Sequence, residues 1–581
     1  MSATRKPSLR GVALARAIGG LIRIYWASPD AKWSALLLAT AMAFELFAVR
    51  AVVLVSGAQR QMVEGLESRD ASAFVAAIGS FVGFLLLSVF VSAYRVYVRQ
   101  LLEIRWRRGL TADYLNRWIG SRAYGQSQLH GAALDNPDQR IAEDIRDFVA
   151  SALGLSLSFL SAVSTLVAFG GLLWSLSAGW QIPFRGQTLE IPGLLLWVAI
   201  GFALFSMSVT HLMGRRLVPI NFDKFRFEAD FRYGLVRYRD HVEQVALSRG
   251  EAVERLGAVD RFHRVVDVFY QLIRAERNLN LLTGSVGQVN SIVPILVAAP
   301  AYFASLLTLG MIVQTRIAYD QVSGALGWFV NAYREIARWR ANVERLASFA
   351  EVMDASAREV EAAGLRIAPS EGGALRLDDV RLDTPQGQVL LQHASARLGA
   401  GERIAILGEA GMGKTTLFRA LAGIWPFGAG RIERPPRERM LFVPQRPYLP
   451  LGTLRAVVSY PAPEGRFADD RVREVLRSIG LAHLAARLDE PGPWDQSTSV
   501  HEQQLVALAR VLLHEPDWVV LDESTSGLDE VSERRIFELL LRALPRASLV
   551  ALGPRRGVVD LLPRRFTLVA GAEGGAELRA A

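Results

Sequence analysis

No cysteine occurs anywhere in the 581 residues. Disulfide scaffolds, thiolate metal sites, cysteine nucleophiles and palmitoyl anchors are excluded by that one absence. Charge is also scarce: Asp, Glu, Lys and Arg make up 21% of the chain against 51% hydrophobic residues, where soluble globular chains carry about 25% charged residues. The balance excludes disordered, collagen-like and coiled-coil chains and points to a membrane. Lysine is nearly missing, for 66 basic residues include only Lys6, Lys32, Lys224 and Lys414. A chain that otherwise chooses arginine keeps a lysine by accident or because its chemistry demands one. The net charge of +9 fits the basic cytoplasmic loops of a membrane protein better than a nucleic-acid surface, so no nucleic-acid partner is expected. The length calls for at least two domains.

Crossing a bilayer takes roughly 20 apolar residues. Six stretches qualify, at 33–55, 73–98, 148–176, 191–213, 281–309 and 317–337. The last carries Asp320 and Arg334 at its ends and Asn331 inside. Arg5, Lys6, Arg10, Arg16 and Arg23 precede a full-length span, so the N-terminus is not read as a cleavable leader. Basic residues recur after the second span (Arg95, Arg99, Arg105, Arg107, Arg108), after the fourth (Arg215, Arg216, Lys224, Arg226) and around the end of the sixth (Arg334, Arg338, Arg340). The connection between the first two spans is mildly acidic, with Glu64, Glu67 and Asp70 against Arg60 and Arg69. By the positive-inside rule both termini are cytoplasmic, which six spans satisfy.

The connections 99–147 and 214–280 are long, and at 106–118 and 222–247 they mix apolar and charged residues at helical spacing. Spans prolonged as helices into the cytoplasm would explain them; a pair of small soluble insertions is the alternative. Within the first span, Glu45 is a candidate transport residue, because a carboxyl in the membrane normally faces a cavity or a partner. A structural hydrogen bond to a neighbouring span is the other reading. Arg50 stands about 140° round the helix from Glu45, a poor geometry for pairing.

The composition changes after residue 350. A linker at 351–372 leads into 373–581, where short apolar strands alternate with helical segments in the pattern of an α/β domain. Ile404-Ala-Ile-Leu407 reads as a buried strand, followed by Gly408-Glu-Ala-Gly411-Met-Gly413-Lys414-Thr415 and a helix from Thr416. This is the phosphate-cradling loop in its strand–loop–helix setting. Glycines let backbone N–H groups turn inward onto the phosphates, and the helix N-terminus adds its field. Lys414 reaches the β/γ oxygens, which accounts for one lysine that was not replaced by arginine. Thr415 offers its hydroxyl to Mg²⁺. A second strand, Trp518-Val-Val-Leu521, ends in Asp522-Glu523. Asp522 can hold the same Mg²⁺, and Glu523 can act as general base toward the attacking water. ATP and Mg²⁺ are the cofactors expected.

Between these segments lie Leu441-Phe-Val-Pro-Gln445-Arg-Pro-Tyr-Leu-Pro-Leu-Gly-Thr-Leu-Arg455 and Ser459-Tyr-Pro461. They resemble the glutamine loop of ABC transporters, in the branch that holds the peroxisomal fatty-acyl transporters and the bacterial BacA/SbmA-like peptide transporters. In the membrane half, Arg105-Trp-Arg-Arg-Gly-Leu-Thr111, Tyr114-Leu115, Trp118 and Asn136-Pro-Asp-Gln-Arg-Ile141 with Asp144 are similar to that branch. So are Glu243-Gln-Val-Ala-Leu-Ser-Arg-Gly250-Glu251 and Trp339-Arg-Ala341 with Arg345-Leu346. The resemblance implies an exporter-type fold: an all-α six-helix transmembrane domain (1–350) followed by an α/β P-loop ATPase domain (373–581). It implies a half-transporter that pairs with a second copy of itself, with two ATP sites at the dimer interface. Gln445 would then link nucleotide and Mg²⁺ to the membrane domain, while Ser499 and Asp529 would contribute to the nucleotide sites.

Two departures from the family pattern stand out, and one absence. The signature segment reads Thr498-Ser-Val-His501-Glu-Gln-Gln504, with His501 where the family has glycine. After the strand Ala547-Ser-Leu-Val-Ala-Leu-Gly553 the family's Gly-His-Arg is Gly553-Pro554-Arg555, and proline cannot replace histidine as donor or acceptor. Near Asp383-Thr-Pro385 no aromatic offers itself for stacking adenine. Either hydrolysis is real but slowed, or neighbouring groups compensate. The resemblance implies an ATP-coupled transporter in the bacterial inner membrane, in contact with lipid, that moves a peptide or another bulky hydrophilic solute. Lipid or fatty-acyl compounds are the alternative substrate. A proton-coupled transporter using Glu45, with a regulatory ATP-binding domain, is the alternative mechanism. A soluble nucleic-acid ATPase is excluded by six membrane-length segments.

Overall fold

The computed structural model describes residues 11–27, 31–120, 136–178, 180–184, 187–361, 364–370, 372–571 and 574–581. Arg5, Lys6 and Arg10 of the basic N-terminal arm lie outside the described residues, as do 362, 363 and 371 of the linker. The chain divides into two compact units, Met1–Tyr114 with Pro137–Ser348, and Leu115–Asn136 with Phe349–Ala581.

The first unit is built from long helices: α1 (Val12–Trp26), α2 (Ala31–Glu67), α3 (Ala71–Leu115), α4 (Ile145–Leu176), α5 (Leu194–Gly214), α6 (Leu217–Asp240), α7 (Val242–Leu247), α8 (Glu251–Phe303) and α9 (Leu309–Glu361). Among the described residues, five helical stretches are long and apolar enough to cross a membrane: Ala31–Glu67, Ala71–Gly120, Pro137–Leu176, Leu194–Gly214 and Glu251–Phe303. Between 11% and 22% of each apolar window is buried, so these faces need a non-aqueous surrounding. The sixth expected span, 317–337, is helical throughout but lies on α9 and is not among the five. Asp320, Arg334 and Glu335 interrupt its apolarity.

Both long connections are mainly helical where they are described, with short breaks at Arg215–Arg216, His241 and Ser248–Gly250. The second-span helix α3 runs unbroken to Leu115 and continues as a π-helical turn, Asn116–Gly120. In the second connection α6, α7 and the first turns of α8 follow one another. At 1.5 Å per residue, the 53 residues of α8 make a rod of about 80 Å, against about 30 Å for a bilayer core. A short hairpin, β1 (Gln181–Phe184) and β2 (Gln187–Glu190), joins α4 to α5 and has no counterpart in the sequence reading.

Three of the sequence segments that carry the family resemblance meet in this unit. Arg345 donates to both oxygens of Asp144, at 2.8 and 2.6 Å, and Arg140 donates to the same carboxylate at 2.8 Å. The Asp144 side chain is 5% exposed, so the two guanidiniums offset a carboxylate that burial would otherwise penalise. The Tyr114 hydroxyl donates to the Leu346 carbonyl, and Phe148 stacks on Trp339.

The second unit is a mixed sheet with helices packed on it. Its strands are β3 (Leu365–Pro369), β4 (Leu375–Asp383), β5 (Val389–Leu398), β6 (Arg403–Leu407), β7 (Gly428–Arg434), β8 (Met440–Val443), β9 (Trp518–Asp522), β10 (Ser548–Leu552), β11 (Arg564–Ala570) and β12 (Ala576–Ala580). They lie in the order β3-β7-β4-β5-β12-β11-β6-β10-β9-β8. The run β11-β6-β10-β9-β8 is parallel, with Ile406 opposite Leu552, Leu552 opposite Asp522, and Leu521 opposite Val443. β9 and β10 are buried along their whole length, as expected of parallel strands covered on both faces. The helices named below are α10 (Lys414–Ala422), α11 (Leu454–Ser459), α12 (Asp469–Ser478), α13 (Val500–His514) and α14 (Glu530–Ala543).

Candidate nucleotide site and membrane cavity

Open parallel sheets bind ligands at the carboxyl ends of their strands. Here four neighbouring strands, β6, β10, β9 and β8, deliver Gly408–Lys414, Gly553–Pro554, Asp522–Glu523 and Gln445 at or just beyond those ends. Sequence separations of up to 145 residues between Gly408 and Gly553 therefore collapse into one site.

Gly408, Gly411 and Gly413 have φ of +154°, +85° and +84°. Gly413 is the left-handed residue from which α10 springs, leaving that helix's first N–H groups free to face an anion. Lys414 is buried, and its amine folds back to donate to the carbonyls of Gly408 and Glu409 at 2.8 and 3.0 Å. The same amine lies 3.7 Å from the Glu523 carboxylate. Thr416 is half-buried in the first turn of α10, whereas Thr415 is exposed and its hydroxyl stands 3.4 Å from Asp522 Oδ1.

Asp522 is 3% exposed. Burial pushes its carboxyl above the ordinary aspartate range, opposed by the Thr415 hydroxyl, reinforced by Glu523 and opposed again by Arg419 and Lys414. Such a buried carboxylate calls for a cation. The oxygens at hand are the Thr415 hydroxyl, the Asp522 carboxylate and the amide oxygen of Gln445, whose nitrogen donates to Glu523 at 3.3 Å. Hard oxygen donors of this kind fit Mg²⁺. Glu523 is held at φ +45°, a strained backbone for a residue with a side chain, and its N–H is anchored to the Leu552 carbonyl.

Gly553 has φ +67°, and a Cβ there would lie 2.9 Å from Glu523 Cγ, 3.0 Å from Glu523 Oε1 and 3.1 Å from Lys414 Cε. Glycine at this point is the space in which the Glu523 carboxylate and Lys414 meet. Pro554 follows, with no side-chain donor. The Arg555 guanidinium is engaged elsewhere, donating to the carbonyls of Leu528 and Ser526.

Ser499 and Asp529 direct their hydrogen bonds into their own helices. Ser499 caps α13 in a reciprocal box with Glu502, whose carboxyl is lowered first by the Ser499 N–H. Asp529 caps α14 by accepting from Val531 and Ser532, and those bonds hold its carboxyl low. His501 is exposed in the first turn of α13. Neither cap is hydrogen-bonded to the phosphate loop of its own chain.

The sequence reading assigned no role to two residues that organise the site. The buried amide of Gln504 donates to the Gln445 carbonyl at 3.0 Å and to Ser526 Oγ at 3.3 Å, and accepts from Gly527 N–H at 2.9 Å. It thus joins the glutamine loop to the segment before α14. Arg510, on the same helix, binds the carbonyls of Val457 and Tyr448, and burial lowers its guanidinium to about 10. A polar residue on the inward face of an otherwise apolar helix was the available signal for both.

In the helical unit, Glu45 is 7% exposed and is paired with Arg95 of α3 at 3.2 Å rather than with Arg50. The pair lines a cavity of about 400 Å³ together with Arg99, Ser161, Thr165 and Gln321. The structural partner and the cavity expected as alternatives for Glu45 are both present.

Residues 21–303 match the family described as ABC transporter transmembrane region 2, and residues 391–526 match the ABC transporter family. An uncharacterized ABC transporter ATP-binding protein of Synechocystis is 34% identical over 88% of this chain and 77% of its own length. The inner membrane ABC transporter ATP-binding protein YddA of Escherichia coli is 30% identical over 93% of this chain and 95% of its own. ABC transporter D family member 2, chloroplastic, of Arabidopsis thaliana is 28% identical over 92% and 83%.

Proposed function

The chain belongs to the ABC transporter family, as a half-transporter with its membrane domain fused to its ATPase, and from that premise we propose that two copies form an ATP-driven transporter for a peptide or another bulky hydrophilic solute. It works in the bacterial inner membrane, with α9 supplying the sixth span and both termini in the cytoplasm. The observation that carries the reading is the meeting of Lys414, Thr415, Asp522, Glu523 and Gln445 at adjacent strand ends.

In hydrolysis, the Glu523 carboxylate orients a water and takes its proton as the water oxygen attacks the γ-phosphorus. The bond from that phosphorus to the bridging oxygen breaks, and ADP leaves with the electron pair. Lys414 leaves its two loop carbonyls for the phosphate oxygens. Mg²⁺, when bound, would be held by Thr415, Asp522 and Gln445 and would neutralise phosphate charge. ATP binding closes the dimer, with Ser499 and Asp529 meeting the nucleotide of the other copy, and hydrolysis resets it.

Turnover is slow in this reading. Pro554 offers no polar contact, and Arg555 next to it is occupied by the carbonyls of Ser526 and Leu528. One missing preorganised contact costs roughly 10²–10³ in rate. The cavity beside Glu45 sets charged and polar groups, Arg95, Arg99 and Gln321, among apolar ones such as Leu157 and Trp328. The test is uptake of labelled peptide into proteoliposomes with ATP on the ATPase side, with and without a proton gradient. Movement that needs ATP and is lost in Lys414→Ala supports the reading. Movement driven by the proton gradient alone, and kept in Lys414→Ala, overturns it.

A further inference from the structure

Two arginines one helical turn apart on α3, Arg95 and Arg99, face the same cavity of about 400 Å³ in the helical unit. The lining carries two cations against one anion, Glu45. Arg95 gives one nitrogen to Glu45 at 3.2 Å. The Nε of Arg99 is buried and, among the described residues, has no hydrogen-bond partner. A buried donor without an acceptor destabilises, more so when it belongs to a charged group, and a surplus positive charge in a partly enclosed cavity is a further cost. The surplus charge is relieved by one event, the arrival of an anion at the guanidinium edge that faces the cavity. Among the remaining lining, the hydroxyls of Ser161 and Thr165 and the amide of Gln321 supply neutral hydrogen-bonding groups, beside apolar Leu157 and Trp328.

We propose that this cavity binds an anionic group of the transported solute, a carboxylate seated on the Arg99 guanidinium and competing with Glu45 for Arg95. A planar guanidinium takes a carboxylate through two parallel N–H bonds, which a point charge does not. Glu45 is then the resident counter-ion: it holds Arg95 while the cavity is empty and sets how tightly the ligand must bind to displace it. The inference rests on the transport reading above and gives its solute a chemical feature. A carboxylate reaches such a site from the end of a peptide or from a fatty acid, and the two sources are separable.

The experiment uses the full-length protein in lipid nanodiscs and isothermal calorimetry with three probes: acetyl-trialanine as the free acid, the same peptide as its amide, and octanoate. The free acid is expected to bind at least tenfold more tightly than the amide. Glu45→Gln is expected to raise its affinity severalfold, because Arg95 is released, and Arg99→Gln to reduce the acid to the level of the amide. A purely structural role for the Glu45–Arg95 pair gives no gain in Glu45→Gln. Gly324 also lines the cavity, and a Cβ there meets nothing within 4 Å. Gly324→Leu is therefore expected to fold, to bind ATP, and to lose the acid.

Octanoate binding as tightly as the acid keeps the anion site and assigns its ligand to acyl compounds; weaker octanoate assigns it to peptides. Equal binding of acid and amide, a preference that survives Arg99→Gln, or no binding of any probe by wild type and Glu45→Gln each overturns the proposal. Failure of ATP-driven transport is read in the separate uptake assay and leaves these binding results standing.

Discussion

Replacing Gly553 by alanine tests the crowded centre of the nucleotide site. The residue stands at φ +67°, a region that costs an ordinary L-residue about 1–2 kcal/mol. The added Cβ would come to 2.9 Å from Glu523 Cγ and 3.1 Å from Lys414 Cε, closer than carbon atoms pack. Both neighbours are side chains, so they can withdraw by the roughly 0.5–1 Å that ordinary contact requires, and the domain still folds. The withdrawal falls on Glu523, the proposed general base, and on Lys414, and it moves Glu523 relative to Gln445. Misplacing a catalytic group by about 1 Å can cost roughly 10²-fold in rate. Gly553→Ala is therefore expected to lower ATP turnover by roughly 10²-fold, with ATP binding changed far less and a small loss of thermal stability. The assay is phosphate release by the purified chain in lipid beside equilibrium binding of a fluorescent ATP analogue. Turnover within twofold of wild type, in a protein that binds nucleotide normally, would refute the assignment of Glu523 and the role given to this glycine.

Asp522→Asn separates the metal role from stability. A carboxyl whose folded-state pKa is raised by burial favours folding at pH below its unfolded value, and that contribution is lost as pH rises through the raised value. At neutral pH the nucleotide-free Asn variant is thus expected to melt above wild type while losing Mg²⁺-dependent ATP binding; melting curves at several pH values check it. In wild type, Mg²⁺-dependent ATP affinity is expected to fall as pH drops toward that raised value, because proton and cation compete for one carboxylate. Gln504→Leu keeps the volume but removes three hydrogen bonds, at about 0.5–1.5 kcal/mol each. It should lower both stability and turnover, whereas an effect on stability alone would show that Gln445 does not depend on it. Arg345→Ala leaves Asp144 with Arg140 and should destabilise the chain by about 1–3 kcal/mol, read from its melting in detergent; Arg345→Lys should recover only part.

Much of this molecule was legible because its signals are short-range or compositional. Apolar runs identify the membrane helices from residue types alone, and the loop from Gly408 to Lys414 must lie between a strand and a helix wherever that strand sits in the sheet. The replacement of the family's histidine by Pro554 is visible in one residue. What could not be read are the pairings that depend on which helix faces which. Arg95 is fifty residues from Glu45 in the chain and was grouped with the loop cations, yet it is Glu45's partner. Asp144 and Arg345, 201 positions apart, were seen as separate matches rather than one contact. The charged stretch 317–337 shows the limit of hydropathy: α9 runs straight through it, with Asp320 lining a cavity of about 560 Å³. Gln504 and Arg510 were hidden by their setting, since a polar side chain inside an apolar helix declares a buried partner without naming it.

The central claim is that an ATPase with an altered γ-phosphate contact still drives this transporter. It is tested most directly by ATP hydrolysis of the purified full-length protein in lipid, beside Glu523→Gln and Pro554→His. The account predicts slow turnover by wild type, none above background in Glu523→Gln, and a rise in Pro554→His. Wild-type protein that binds ATP yet hydrolyses it no faster than Glu523→Gln would contradict the account and leave the domain as a nucleotide sensor.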